Sequence, residues 1–261
     1  LVASGWELAQ AVMTSETPDR SELELQLAHP TDLAVVMFDN PKAVLALRRA
    51  GVPFIVIGNA GAGKVRNSMG FVAVNRSLAS DAFAAHCLAS GVHRVWEVGF
   101  EDFHDIDEAF GTARVEVDHL TVPVPMSGRR PASVTFAARD FFSDLLRKMG
   151  KGVSLPDLIY FSDDHICTGA LVALSGAGVR VPEDVGVATW ANLGDAPVFI
   201  NDLTRLEMDP EADASRVAEY CISVSDGSGR MPDPPVLAPY FVSGETVQKI
   251  SFGNPKGATT K

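Results

Sequence analysis

The stretch "LPDLIYFSDDHICTGALVALSGAGVRVPEDVGVATW", Leu155–Trp190, decides how the rest of the chain is read. "LPDLIYFS" reads as a strand. "DDHICTGALVALSGAG" is of helical length and ends in glycine, and "EDVGVATW" is a second strand. Two strands separated by a helix of more than ten residues form the repeating unit of a parallel sheet with crossover helices.

The alternation continues in both directions. Upstream, "DLAVVMF" (32–38) is a short, almost wholly apolar run, the pattern of a strand buried on both faces. "NPKAVLALRRAG" is a helix, with Pro41 in its first turn and Gly51 just past its end. "VPFIVIG", "GFVAV" and "HRVWEVGF" are further strands, and "NRSLASDAFAAHCLASG" is a helix stopped by Gly91. "LTVPVPM" is expected as the next strand, before the amphipathic helix "ASVTFAARDFFSDLLRKMG". Downstream, "DPEADASRVAEYCISVSD" reads as a helix and "PPVLAPYFVSGETV" as a closing strand and turn. The Gly-, Thr- and Lys-rich end, residues 253–261, is expected to fray. The pattern predicts an α/β fold.

Composition narrows the function. The 33 acidic residues against 22 basic ones leave a net charge of −11, so most of this surface repels a polyanion. No apolar run reaches the roughly 20 residues of a membrane helix, and the first residues do not show a secretion signal. Cys87, Cys167 and Cys221 are odd in number and sit in apolar helical patterns, which reads as free buried thiols in a reducing compartment.

Four stretches invite chemistry. "GNAGAGKV" imitates a phosphate-binding loop, but Val65 stands where Ser or Thr must follow the lysine, and a strand rather than a helix comes next. Lys64 and Arg66 are therefore read as solvated cations. "SDDH", Ser162–His165, joins a strand to a helix; Ser162 or Asp163 suits an N-cap, and the same junction is where α/β sheets take ligands. "TWANLGDAP" places Trp190 and Asn192 at the end of a strand, as a stacking platform with a polar neighbour or as a core ring with a turn asparagine. In "VGFEDFHDID", His104 and Asp107 have helical metal-pair spacing, but two ligands alone do not make a site, and a solvated helix start is the plainer reading. No catalytic motif is found, so no catalytic residue, metal or cofactor is assigned.

"PDLIYFSDDHICTGALVALSGAGVRVPEDVGVATW" resembles the effector-binding core of LacI/GalR-type bacterial transcription regulators, most specifically in "AGVRVPEDVGV". "RRAGVPFIVIGN", "NRSLASDAFAAHCLASGVHRVWEVG", "DLTRLEMDP" and "YFVSGETV" extend the likeness in order along the chain. The resemblance implies two Rossmann-like lobes of periplasmic-binding-protein type: residues 1–74 with 209–235, and 75–208 with 236–252. It aligns "GWELAQAVMT" with the second strand, leaving the first strand and helix without a counterpart. It implies a small effector, a sugar, bound between the lobes, with Asn59, Asp163, Asp164, Trp190, Asn192 and Met208 as ligand contacts. Ala191 stands where the family commonly grips a sugar hydroxyl with aspartate. The resemblance further implies a cytoplasmic homodimer that reaches DNA only through a helix-turn-helix module absent from these residues. The alternative that shares the fold is a solute-binding protein of a sugar transporter or receptor.

Overall fold

The computed structural model describes residues 5–8, 30–37, 41–59, 65, 67–100, 106–124, 130–149, 154–225 and 232–248, without the side chains of Asn59 and Leu78. The strands are β1 (Ala34–Met37), β2 (Phe54–Asn59), β3 (Gly70–Val74), β4 (Arg94–Gly99), β5 (Glu116–Thr121), β6 (Leu158–Phe161), β7 (Gly186–Asn192), β8 (Thr204–Met208), β9 (Val236–Leu237) and β10 (Tyr240–Val242). The helices are α1 (Pro41–Ala50), α2 (Ser77–Ala89), α3 (Asp107–Thr112), α4 (Pro131–Met149), α5 (Asp164–Gly176) and α6 (Pro210–Ser225). The chain forms two compact units: Leu1–Arg76 with Pro125–Ser127 and Met208–Pro239, and Ser77–Val124 with Gly128–Glu207 and Tyr240–Lys261.

The first unit carries a parallel sheet in the order β1–β2–β3–β9. Side chains alternate across a strand, and β2 uses both faces. Phe54 and Val56 join Val36 and the α1 residues Ala43, Val44 and Leu47. Ile55 and Ile57 meet Tyr220, Cys221 and Val224 of α6. A strand buried twice has no polar position, which is why "FIVI" lacks alternation. Gly51 ends α1 with φ +70° and Gly91 follows α2 with φ +83°, conformations that cost other residues more than glycine.

The second unit carries a six-stranded sheet in the order β10–β8–β7–β6–β4–β5. Strands β4 to β7 pair in parallel, and β10 runs antiparallel to β8. Ile159 and Phe161 of β6 pack with α4 and α5 residues such as Phe142 and Ile166. Leu158 and Tyr160 pack on the opposite face with Phe83 and Phe110 from α2 and α3. Helices α4 and α5 approach closely at Gly169, where an added Cβ would lie 2.2 Å from the Thr135 carbonyl oxygen. An alanine there must displace backbone, at a cost of about 1–3 kcal/mol.

Four expectations change. The strand expected to be buried on both faces, β1, stands at the edge of its sheet among the described residues and packs Val36 on the core while Val35 and Met37 are exposed, so its apolar run does not mark double burial. The strand expected at "LTVPVPM" begins earlier and stops at Thr121. Pro123 and Pro125 have no N–H to give a ladder, and β5 is an edge strand with exposed polar residues, so it lacks the apolar run that marks a buried one. The closing strand is two short ones in different sheets, β9 beside β3 and β10 beside β8. Residues 236–237 therefore belong with the first unit, one short strand beyond the expected change at residue 235. All three cysteines are buried and unbridged. Most of "GWELAQAVMT", the loop around Lys64 and His104 lie outside the described residues.

Candidate ligand-binding site

In the second sheet the chain moves from β4 outward to β5, then returns past β4 to β6 and continues to β7 and β8. The order therefore reverses between β4 and β6. Open α/β sheets take ligands at such a reversal, beyond the carboxyl ends of the strands, because the loops there diverge and leave a crevice. "SDDH" leaves the end of β6 at this point.

Asp163 is the N-cap of α5, with extended backbone and its Oδ1 accepting from the Ile166 N–H at 2.9 Å. The capping role and the place at the sheet's reversal coincide in one residue. Asp164 opens the helix with a side chain only 16% exposed. Burial pushes its carboxyl above the ordinary aspartate value; the neighbouring His165, whose Nδ1 lies 3.6 Å away, lowers it, and the charge of Asp163 raises it again. A carboxylate held against its solvation at a strand tip is a mark of ligand sites. Below it, Cys167 is fully buried, and burial drives its thiol upward, so it is a core group and no nucleophile.

Trp190 lies near the end of β7, the strand next to β6, half-buried against the α2–α3 side of the core. Its carbonyl accepts from Thr189 Oγ1 at 3.0 Å. Asn192 is exposed, and its carbonyl accepts from the Asp195 N–H at 3.0 Å, so part of its job is the turn. Sheet pairing thus brings Asp163, Asp164, Trp190 and Asn192 to the ends of neighbouring strands in one unit. Asn59 and Met208 belong to the other unit. Asn59 ends β2 opposite Val74, with its side chain outside the described residues. Met208 ends β8, half-buried and packed on the first unit's core.

One group of residues on this sheet escaped the sequence reading. Glu97, buried in β4, lies opposite His119 of β5 and near Asp107 at the start of α3. Asp107 is thus engaged with His119 rather than simply solvated. The available signal was a carboxylate among the apolar residues that follow Arg94 in "RVWEVG".

A family profile described as periplasmic binding protein-like domain matches residues 84–247, more than half of the chain. The chain belongs to this family. The resemblance to LacI/GalR effector-binding domains is supported in sequence by the HTH-type transcriptional regulator GntR of Pseudomonas aeruginosa, 25% identical over 202 residues. That match takes in 76% of this chain and 57% of the relative, so the chain spans little more than half of the regulator's length. In fold, the chain is similar to a LacI family transcriptional regulator from Arthrobacter sp. FB24 in complex with lactose, with a TM-score of 0.70 and 18% identity over 95% of this chain and 90% of that one. It is also similar to a LacI family regulator from Enterococcus faecium with bound ribose, with a TM-score of 0.65 and 15% identity over 87% and 83% of the two chains. The fold is α/β with parallel sheets, of the periplasmic-binding-protein-like kind. Among the described residues no helix is long and apolar enough to cross a membrane.

Proposed function

We propose that the chain is the ligand-sensing and dimerising part of a cytoplasmic LacI-type transcriptional regulator whose effector is a small neutral sugar. The observation that carries this reading is the pair Asp163–Asp164 at the reversal of the second sheet, one strand from Trp190. An indole packs on the apolar face of a sugar ring, while carboxylates accept from its hydroxyls. Asp163 spends one oxygen on capping Ile166, and a carboxylate has acceptor capacity beyond that. Asn192, Asn59 and Met208 are proposed as further contacts. The bound sugars named for two structural relatives are of the same chemical class. Effector binding would favour one arrangement of the two units, and an attached DNA-binding module would feel the change.

Dimerisation has its own support. After β7 the segment 193–200 presents Leu193, Val198 and Ile200 to solvent, the last two 101% and 88% exposed. Neighbouring apolar side chains left this open suit contact with a second copy. Light scattering on the purified chain is expected to give twice the chain mass; a monomer at micromolar concentration removes dimerisation from the reading. DNA contact would come through a separate basic module, since these residues carry a net charge of −11.

The effector test is a thermal-shift screen of neutral mono- and disaccharides, repeated on Trp190→Ala. A stabilising sugar is expected to lose about tenfold or more in affinity when the indole goes. Equal binding by the variant overturns this site. The residues encoded before Leu1 separate the two functional classes: a basic helix-turn-helix supports the regulator, and a secretion signal supports a transporter's solute-binding protein.

A further inference from the structure

A charge inside a sheet is costly unless another charge or a metal balances it. Glu97 lies within β4 with a side chain only 1% exposed. Register sets it beside His119, whose Nδ1 lies 3.3 Å from Glu97 Oε2. The other ring nitrogen, Nε2, lies 3.2 Å from Asp107 Oδ1. Asp107 starts α3, which is anchored to the same face of the sheet by Ala109 and Phe110. One donor atom from each of the three residues falls within 4.8 Å of the others.

We propose that Glu97, Asp107 and His119 form a binding site for a first-row divalent cation, with Zn²⁺ as the reference ion. The donor set is one imidazole nitrogen and two carboxylate oxygens, which suits Zn²⁺ and its neighbours better than the all-oxygen shells of Ca²⁺ or Mg²⁺. Bonds of 2.0–2.2 Å around a tetrahedral centre put donors roughly 3.3–3.6 Å apart, and with one His119 nitrogen as ligand the three donors, within 4.8 Å of one another, need only a small side-chain rotation to reach that spacing. Electrostatics argues the same way: two carboxylates gathered beside one imidazole concentrate negative charge, which favours a divalent cation among them. His119 and Asp107 are 35% and 44% exposed, which gives a cation a way in and leaves a coordination position for water. The three ligands come from two strands and a helix, so a bound cation would clip α3 to the β4–β5 edge. These strands lie across the reversal from β6 and β7, and the site stands or falls independently of the sugar reading.

The test uses the untagged chain, stripped with EDTA and desalted. Calorimetric titration with ZnCl₂ is expected to show one cation per chain. Melting should rise by roughly 5–10 °C at a concentration about a hundredfold above Kd, because only the folded chain assembles the site. His119→Gln and Asp107→Asn should each weaken binding at least about tenfold with unchanged circular dichroism. His93→Gln, on an exposed turn, should leave it as it is. Glu97→Gln serves as a third variant if it folds. No saturable uptake overturns the proposal, as does uptake that survives both His119→Gln and Asp107→Asn. Stability that follows pH but not Zn²⁺ also overturns it, because a second proton on the ring would then be the balancing charge.

Discussion

Strands β6 and β4 are hydrogen-bonded neighbours, yet they bring polar groups to the sheet in different ways. In β6 all four residues are buried and apolar or aromatic, and the carboxylates come only after the strand has ended. In β4 a carboxylate sits within the strand itself, at Glu97. The first arrangement lets packing and the proposed ligand binding be separate tasks: Phe161 fills the core while Asp163 and Asp164 follow the strand end. The second makes one residue serve in the core and carry charge, so its partners must come from other elements. Function placed beyond a strand end can vary without loss of the core; function placed inside the strand cannot.

Substitutions along β6 and its exit sharpen this contrast. Phe161 is fully buried, with its ring centroid 5.6 Å from that of Phe142. Phe161→Ala is expected to cost about 3–5 kcal/mol in urea unfolding; a loss below about 1 kcal/mol would show that β6 is not the anchor its burial implies. Asp163→Ala removes the cap from Ile166 and should cost about 1 kcal/mol by the same measurement. A much larger loss would mean that the strand exit, like Glu97, is part of the core.

Asp164→Asn gives the smallest effect and the most specific sign. Burial is the main cause that holds this carboxyl above its ordinary value, so the folded chain binds the proton more readily than the unfolded one. The stability linked to that proton is fully present below the unfolded value and is lost as pH rises through the folded one. Asparagine, neutral throughout, removes this loss. The unfolding midpoint of wild type relative to Asp164→Asn should therefore fall between acid and neutral pH. A constant difference would show that Asp164 titrates as an exposed aspartate.

The legibility of this chain follows the range of the interactions involved. The β6–α5–β7 stretch could be read because each signal lies within a few residues: an apolar run, a capping aspartate, a glycine stop. The edge strand β5 was misplaced because a half-exposed strand does not carry the continuous apolar run that marks a buried one. The strand-end places of Asp163, Asp164 and Trp190 were legible, and likeness to a family is what proposes them as ligand contacts. Glu97 and His119 were missed, since a single glutamate or histidine in a strand says nothing about what pairs across from it.

By itself, then, the sequence did not decide which apolar strand is covered on both faces, but it determined the alternation of strands and helices and where most helices begin and stop. Those follow from side-chain periodicity and backbone preference, which act locally. Only the tertiary structure decided that β4 lies between β5 and β6, that the order reverses beside Asp163, and that Glu97, Asp107 and His119 meet. Such neighbours are set by strand pairing between distant segments, whose register is chosen by the packing of both sheet faces at once.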